Sequence, residues 1–181
     1  TWLYFVDDRT QRNAIADLIA EGDRLQWADK RFRLELASWL HPNDGTAADG
    51  IPNSAQNSGD LLSVAGPMVI RTFDLGKGQA AKDRDIAAYS PGLVVLGTDT
   101  DEPWAWLATG QALARVLLRA RVDGVSASYL DQPIEVMSLR PKVTELIGHA
   151  GYAHIILRLG VGPNLNPTPR RPAETVLIPA P

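Results

Sequence analysis

Apolar positions follow two spacings along this chain. Short apolar runs, which are typical of buried strands, occur near 1–6, 92–97 and 153–159, and an apolar-alternating segment near 125–130 predicts a further strand. Between these runs, apolar residues recur three and four positions apart, which predicts amphipathic helices. The first predicted helix follows Asp7 and Asp8, whose carboxylates are good N-caps, and Asp29 precedes a second one. The pattern predicts a domain built from both strands and helices.

The predicted helix at 103–122 has an unusual composition. Pro103 suits the first turn of a helix, where its missing N–H costs nothing. Apolar residues surround this helix almost completely, and only Gln111, Arg115 and Arg119 form a narrow polar stripe. A helix of this kind is expected in the centre of a protein or in a subunit interface.

Two segments depart from regular patterning. Residues 41–83 are rich in Gly, Pro, Asn and Asp, so we expect little regular structure there. Because the segment also keeps apolar residues, a lid is favoured over a disordered linker. Residues 161–181 are rich in proline, which predicts an extended arm. The strand-like run from Thr175 to Ile178 suits addition of an edge strand to another surface.

Composition narrows the classes of protein. With 181 residues, 45% hydrophobic and 22% charged, the chain is expected to form a single domain over 1–181. A net charge of -3 argues against nucleic-acid binding, which needs a basic face. The absence of cysteine suits a cytoplasmic protein, and no apolar run reaches the roughly 20 residues that cross a bilayer. Since the chain begins inside an apolar strand, we expect it to be a piece of a longer polypeptide.

Two features suggest a site for a flat, phosphorylated ligand. Pro133 stiffens a turn after the third predicted strand, and if a helix begins there, the N–H groups of residues 134–136 lack intrahelical partners and can face a ligand edge. Arg170 and Arg171, in the proline-rich arm, present planar guanidinium forks that match phosphate oxygens. The simpler alternatives are a helix N-cap turn and a solvated basic pair.

Several motifs together resemble the nitroreductase family, and in particular its Acg-like branch of NAD(P)H nitroreductases. They are Gly-Gln-Ala-Leu at 110–113, Gln-Pro-Ile-Glu-Val at 132–136, Leu-Gly-Val-Gly-Pro at 159–163 and Pro-Thr-Pro-Arg-Arg-Pro at 167–172. The resemblance covers most of the chain and corresponds to the C-terminal half of a fused two-half polypeptide. It implies an α+β fold with a mainly antiparallel central sheet, flanking helices and an extended C-terminal arm.

The resemblance also implies a function. A protein of this family is an FMN-dependent oxidoreductase that moves electrons from NAD(P)H to a nitroaromatic or quinone acceptor. The implied cofactor-binding residues are Gln132, Pro133, Ile134 and Glu135 beside the flavin ring, with Arg170 and Arg171 at its phosphate. No catalytic side chain and no metal are expected. The family's opening Arg-x-Ser-x-Arg segment is missing from the sequence, so a second nitroreductase-like half or a homodimer partner is expected to complete the site.

Two other functions remain open. The chain could sequester flavin under a lid without turnover, or it could be a structural partner that binds no cofactor of its own. Other candidate residues are weaker. The three histidines, His41, His149 and His154, lack the spacing of metal ligands and are expected in loops or the core. Asp101 and Glu102 are expected to cap the helix at 103–122, with a catalytic carboxylate pair as the less favoured alternative.

Overall fold

The computed structural model describes residues 1–41, 48–52, 60–163 and 170–177. In chain order its elements are β1 (Trp2–Phe5), α1 (Arg9–Ala28), α2 (Lys30–Trp39), β2 (Leu40–His41), β3 (Ile51–Pro52), α3 (Asp60–Thr72), α4 (Gly76–Tyr89), β4 (Gly92–Thr98), α5 (Pro103–Val122), β5 (Ser126–Tyr129), α6 (Gln132–Glu135), α7 (Arg140–Ile147), β6 (Tyr152–Gly160) and α8 (Ala173–Val176).

These elements fall into two compact units. The first contains Thr1–Ala28 and Leu75–Gly162, and the second contains Asp29–Asp74 and Pro163–Pro181. The organisation expected from the sequence, a single domain over 1–181 with a lid at 41–83 and an exchange arm at 161–181, stays a prediction. Parts of both segments, 42–47, 53–59, 164–169 and 178–181, lie outside the described residues.

The first unit is built on a four-stranded sheet in the order β1-β4-β6-β5. All neighbouring strands run antiparallel, with Leu3 opposite Leu96 and Tyr129 opposite Leu157. The four strands lie where the apolar runs predicted them. The predicted α+β class with a mainly antiparallel sheet is therefore confirmed.

The central strand β4 is buried on both faces of the sheet. Leu93 and Val95 point into a core formed with α1, α4 and α7, whereas Val94 and Leu96 point toward α5. This alternation follows from the pleat, since successive side chains of a strand point to opposite faces. The unit thus has three layers, with α5 on one face of the sheet and the other helices on the opposite face.

Helix α4 contradicts part of the expectation for 41–83. A regular helix runs over Gly76–Tyr89 and packs along α1 within the first unit, with Ala80 and Ala87 buried. A second helix, α3, lies in the same segment. The two glycines at the start of α4, Gly76 and Gly78, disfavour a helix, and packing against α1 outweighs them. The prediction of little regular structure was wrong for these residues.

Helix α5 begins at Pro103, as predicted, but it is not buried in the centre of this chain. Its inner face packs on β4 and β5 through Leu113, Val116 and Leu117. Its outer face leaves large apolar side chains exposed, namely Trp104 (62% exposed), Leu107 (73%), Leu118 (70%) and Val122 (77%). Within the described chain α5 is therefore a surface helix, and its expected burial in a protein centre or in a subunit interface stays a prediction.

The second unit contains α2, α3, α8 and the two-residue strands β2 and β3, which pair in parallel. The Asp29 side chain caps α2 by accepting a hydrogen bond from the Arg31 N–H, as the sequence predicted. The strand-like run at Thr175 is not a strand in its described part. Ala173–Val176 forms one helical turn, in which the Leu177 N–H bonds to the Ala173 carbonyl.

Candidate functional site

The turn that carries the predicted flavin contacts is α6, which connects β5 to α7. Its N–H groups are not free. Those of Ile134 and Glu135 donate to the Asp131 carbonyl at 2.8 and 3.0 Å, and that of Val136 donates to the Gln132 carbonyl at 3.1 Å. The expectation of unpartnered donors was wrong because the segment closes into a complete helical turn on the carbonyls that precede it.

The side chains of α6 face in different directions. Pro133 is fully buried and Ile134 packs against the core on the α1 side of the sheet. Glu135 is exposed, and its carboxylate accepts a hydrogen bond from Gln26 on α1. The turn is therefore anchored to the fold by its own apolar residues, and Glu135 is the member of the predicted set that reaches the surface.

Asp131 ties the start of α6 to the sheet. Its Oδ1 accepts a hydrogen bond of 2.6 Å from the Ile156 N–H on β6, while its backbone carbonyl receives the two amides of the turn. Burial raises the pKa of Asp131 to about 6, the hydrogen bond from Ile156 opposes this, and the nearby Glu135 charge adds to it.

Gln132 joins α6 to two helices through buried carboxylates. Its Nε2 donates to Asp23 Oδ1 on α1 at 3.2 Å and to Asp83 Oδ2 on α4 at 3.0 Å. Gln79 also donates to Asp83 Oδ2, at 2.8 Å. Asp23 is only 2% exposed and Asp83 8%. The side-chain amide nitrogen of this predicted cofactor-binding residue is therefore already engaged within the fold.

Asp23 is unusual among the carboxylates of the chain. Burial and the neighbouring Asp83 charge raise its pKa to about 7. Its Oδ2 and the Oε1 of Gln132 are buried and have no hydrogen-bond partner. The sequence analysis missed this residue. Ile19, Asp23 and Trp27 lie four positions apart on the buried face of α1, and an acidic residue in such a row is a usable signal.

Arg170 and Arg171, the predicted phosphate ligands, belong to the second unit and are exposed. The Nε of Arg171 lies 3.8 Å from Asp49 Oδ2 in a surface ion pair. Neither observation tests a phosphate contact, and the role of the six predicted residues stays a prediction.

A second polar cluster of the same unit is formed around Arg140. Arg140 on α7 binds Asp101 through two hydrogen bonds of 2.8 and 3.0 Å, and it donates to His154 Nδ1 at 2.8 Å. His154 Nε2 lies 2.6 Å from the Thr98 hydroxyl. Asp101 also accepts from the Trp106 indole at 2.7 Å. Asp101, which was expected to cap α5, instead accepts hydrogen bonds from Arg140. Glu102 makes no side-chain cap either.

Neither cluster resembles a metal centre. Within the described parts of the chain, no group of three or more His, Asp or Glu side chains is arranged to hold an ion. Over those same ranges, no helix combines the length and the apolar character that are needed to cross a bilayer.

Fold and site together define an α+β protein with an open antiparallel sheet and a helical turn locked by buried carboxylates. A solved structure with a similar fold is that of a point mutant of the FMN- and NADPH-dependent nitroreductase NfnB from sphigopyxis sp. strain HMH. The TM-score is 0.55 and the identity 15%, over 98% of this chain and 77% of that one. No protein-family model matches the chain.

Curated relatives come from Mycobacterium tuberculosis strain H37Rv. The chain is 31% identical to "Putative NAD(P)H nitroreductase Rv3131" over 82% of its own length and 43% of that protein. It is 26% identical to "Putative NAD(P)H nitroreductase acg" over 94% of its length and 50% of that protein. The chain thus spans about half the length of the curated relatives that it matches. It belongs to the nitroreductase family, in the Acg-like branch, as the motifs predicted.

Proposed function

We propose that this chain is the C-terminal half of an FMN-dependent oxidoreductase that moves electrons from NAD(P)H to a nitroaromatic or quinone acceptor. The observation that carries the proposal is the kinship with double-length proteins named as NAD(P)H nitroreductases. The similar fold of an FMN- and NADPH-dependent nitroreductase supports the same class. A cytoplasmic location is part of the proposal.

The described residues do not by themselves make a complete flavin site. The amides of Ile134, Glu135 and Val136 are bonded within the turn, and the Gln132 amide nitrogen is held by two carboxylates. Arg171 pairs with Asp49. Hence the donors expected to grip an isoalloxazine ring and its phosphate are largely engaged in other bonds. We propose that a companion half supplies most of the contacts to FMN.

The outer face of α5 is the surface that suits this companion half. Trp104 and Leu107 are exposed apolar residues near the start of α5, and Leu118 and Val122 are a second pair near its end, with the polar Gln111 and Arg115 between them on the same face. Large exposed apolar side chains cost solvation free energy when they stay in water, and patches of them mark protein interfaces. Since the relatives are about twice as long as this chain, the occupant that we propose is the other half of the same polypeptide.

The first test is a flavin titration. FMN fluorescence or absorbance is followed on adding the 181-residue chain, and in parallel a double-length polypeptide that contains it. We expect the double-length protein to bind FMN at least about tenfold more tightly, which corresponds to about 1.4 kcal/mol. Equal affinity of the two would contradict the proposal that a companion half completes the site.

The second test addresses the α5 face. Leu107→Glu places a charge one helical turn from Trp104 in the exposed apolar part of α5, so we expect it to weaken association of the two separately expressed halves by roughly tenfold or more. Tyr89→Glu is the matched control, because Tyr89 is similarly exposed (80%) but lies on α4. Sedimentation velocity measures association, and equal effects of the two substitutions would argue against a role for α5.

One observation favours a second candidate function. Because the amides of α6 are bonded internally, the chain could be a structural partner that binds no cofactor and stabilises the other half. The titration separates the two. In a double-length protein, substitution of Glu135 by Ala weakens FMN binding if this half contacts the flavin, and leaves it unchanged if it does not.

A further inference from the structure

We propose that Asp23 and Asp83 are positioning residues that set the place of the turn Gln132–Glu135 through Gln132, and that the pair shares a single proton. The inference about flavin binding rests on the function proposed above. The inference about the turn itself does not, because it concerns contacts within one unit of the chain.

The count of donors and acceptors carries the first step. Gln132 Nε2 offers two hydrogens, one to each carboxylate, and Gln79 offers another to Asp83 Oδ2. Asp23 Oδ2 and Gln132 Oε1 are buried and remain without a donor. A buried acceptor with no donor costs free energy. A proton on Asp23 Oδ2 supplies the missing hydrogen and removes one of two adjacent buried charges.

The geometry of the backbone carries the second step. Asp23, Asp83 and Gln132 lie on three different helices, α1, α4 and α6, so one side-chain amide connects all three. Gly22 on α1 is so close to α6 that an added Cβ would lie 2.7 Å from Gln132 Cβ. The backbones of α1 and α6 are therefore in close contact, and α6 has no room to move toward α1. A change in the carboxyl pair must therefore be transmitted to α6 or strain the contact.

The electrostatics show when the pair changes state. The groups that act on Asp23 are Asp83 on α4, Gln132 on α6 and Arg24 on its own helix, and Arg24 also pairs with Glu21 at 2.8 Å. Burial and the Asp83 charge outweigh Arg24 and raise the pKa of Asp23 to about 7. Above this pH two buried carboxylates repel each other around Gln132, and we expect the hold on the turn to loosen.

The test follows the turn directly by nuclear magnetic resonance on the 181-residue chain. The side-chain amide signals of Gln132 and the backbone signals of residues 131–136 are recorded from about pH 5 to pH 9. Asp131 at the start of the turn, with its pKa of about 6 and the Glu135 charge beside it, shifts the backbone signals in a step of its own. We therefore expect the Gln132 side-chain amide, which bonds to Asp23, to report a separate midpoint near 7. Above it, the hydrogen-exchange protection factor of the Val136 amide should fall by about tenfold.

Three variants make the assignment specific. Asp23→Asn mimics the protonated acid and should abolish the midpoint and keep the turn protected at high pH. Asp83→Asn removes the neighbouring charge and should move the midpoint downward. Asp17→Asn is the control, since Asp17 also connects α1 to α4, through Arg84 at 2.6 Å, but on the exposed surface. A midpoint near 7 at the Gln132 side-chain amide that persists in Asp23→Asn, or none there in the wild-type chain, overturns the proposal.

Flavin binding is measured separately, on the double-length protein. If the turn contacts FMN, the wild-type Kd should rise about fivefold or more above the midpoint, and the Asp23→Asn Kd should not. A titrating turn with pH-independent FMN affinity overturns the link to the flavin. A titrating turn in a protein that binds no FMN contradicts the proposed function and leaves the carboxyl pair supported.

Discussion

Two polar clusters of the first unit hold an aspartate in opposite charge states. Around Asp101, the Arg140 guanidinium and the Trp106 indole hold the pKa of the carboxyl below its usual range. Around Asp23, burial and the Asp83 carboxylate raise the pKa to about 7. The two acids differ in both burial and partner: Asp23 is 2% exposed beside a second carboxylate, whereas the Asp101 side chain is 27% exposed and is paired with an arginine. Burial beside a like charge favours the neutral acid, and an arginine partner favours the ionised one.

The two clusters also differ in how completely their hydrogen bonds are satisfied. Arginine can only donate, so His154 Nδ1 accepts from Arg140 and the ring proton lies on Nε2. That proton is donated to the Thr98 hydroxyl, which in turn donates to the Thr100 carbonyl at 2.6 Å. Every link in this chain has one donor and one acceptor. In the Asp23 cluster, in contrast, Asp23 Oδ2 and Gln132 Oε1 are buried without a hydrogen-bond donor.

The largest expected effect comes from breaking the satisfied cluster. Arg140→Met leaves Asp101 without its bidentate partner and His154 Nδ1 without its donor, so we expect a loss of roughly 3 kcal/mol in the free energy of unfolding. The Arg140 and Asp101 side chains are 14% and 27% exposed, which makes solvent a poor substitute. Urea unfolding at neutral pH measures the loss.

The control for this substitution is Arg119→Met. Arg119 pairs with Asp123 at 3.2 Å on the surface of α5, where the side chains are 75% and 53% exposed. An exposed pair of this kind is worth less than about 1 kcal/mol. Equal losses from the two substitutions would show that the Arg140 cluster is no better shielded than a surface ion pair.

A smaller effect, of opposite sign, is expected from the unsatisfied cluster. The folded-state pKa of Asp23, about 7, exceeds its ordinary value of 3.8, so its contribution to stability is full below 3.8 and is lost as the pH rises to 7. Asp23→Asn removes this loss. We expect the variant to exceed the wild type at about pH 8 by roughly 1 to 3 kcal/mol and to match it more closely at about pH 5.

Thermal unfolding at the two pH values measures this difference. For a chain of this size, a gain of about 2 kcal/mol raises Tm by roughly 5 °C. A variant less stable than the wild type at the higher pH would mean that the ionised Asp23 carboxylate stabilises the fold, and the comparison between the two clusters would then fail.

The four strands and α5 could be predicted because their signals are local. Leu93 to Leu96 form a continuous apolar run, and Pro103 marks a helix start within its own sequence neighbourhood. The cap at Asp29 is local for the same reason, since it bonds an amide only two residues away. The family motifs added the fold class with its mainly antiparallel sheet and flanking helices.

The two polar clusters could not be predicted because their members are far apart in sequence. Gln132 lies 109 residues from Asp23 and 49 from Asp83, and Arg140 lies 39 residues from Asp101. No spacing rule connects such residues before the fold is known. The prediction of free amides at 134–136 was wrong for a related reason. The Asp131 carbonyl accepts two of these amides, and the Asp131 side chain is held by Ile156 on β6, which is 25 residues away in sequence.

The smallest expected effect is the change in stability with pH that His154 causes. Its direction distinguishes the Arg140 cluster from the Asp23 cluster. Burial and the Arg140 charge lower the pKa of His154 from its ordinary value of 6.5. Its contribution to stability is therefore full above 6.5 and is lost as the pH falls below that value. This direction is opposite to that of Asp23, so the two contributions oppose each other in the wild type.

Asp23→Asn is therefore the background in which the histidine is best measured. Asp131, whose pKa is about 6, still opposes the histidine in that background, and its contribution is the same with and without His154→Gln. Against that shared contribution, we expect the urea midpoint to decline as the pH falls below 6.5, the ordinary pKa of His154. Adding His154→Gln should flatten this decline, because glutamine cannot take up the proton that breaks the bond from Arg140. His149→Gln is the control for loss of an imidazole, since its ring stacks on Trp2 at 4.2 Å, outside the cluster. If His149→Gln removed the decline and His154→Gln left it intact, the acid sensitivity would come from His149. The comparison between the two clusters would then fail.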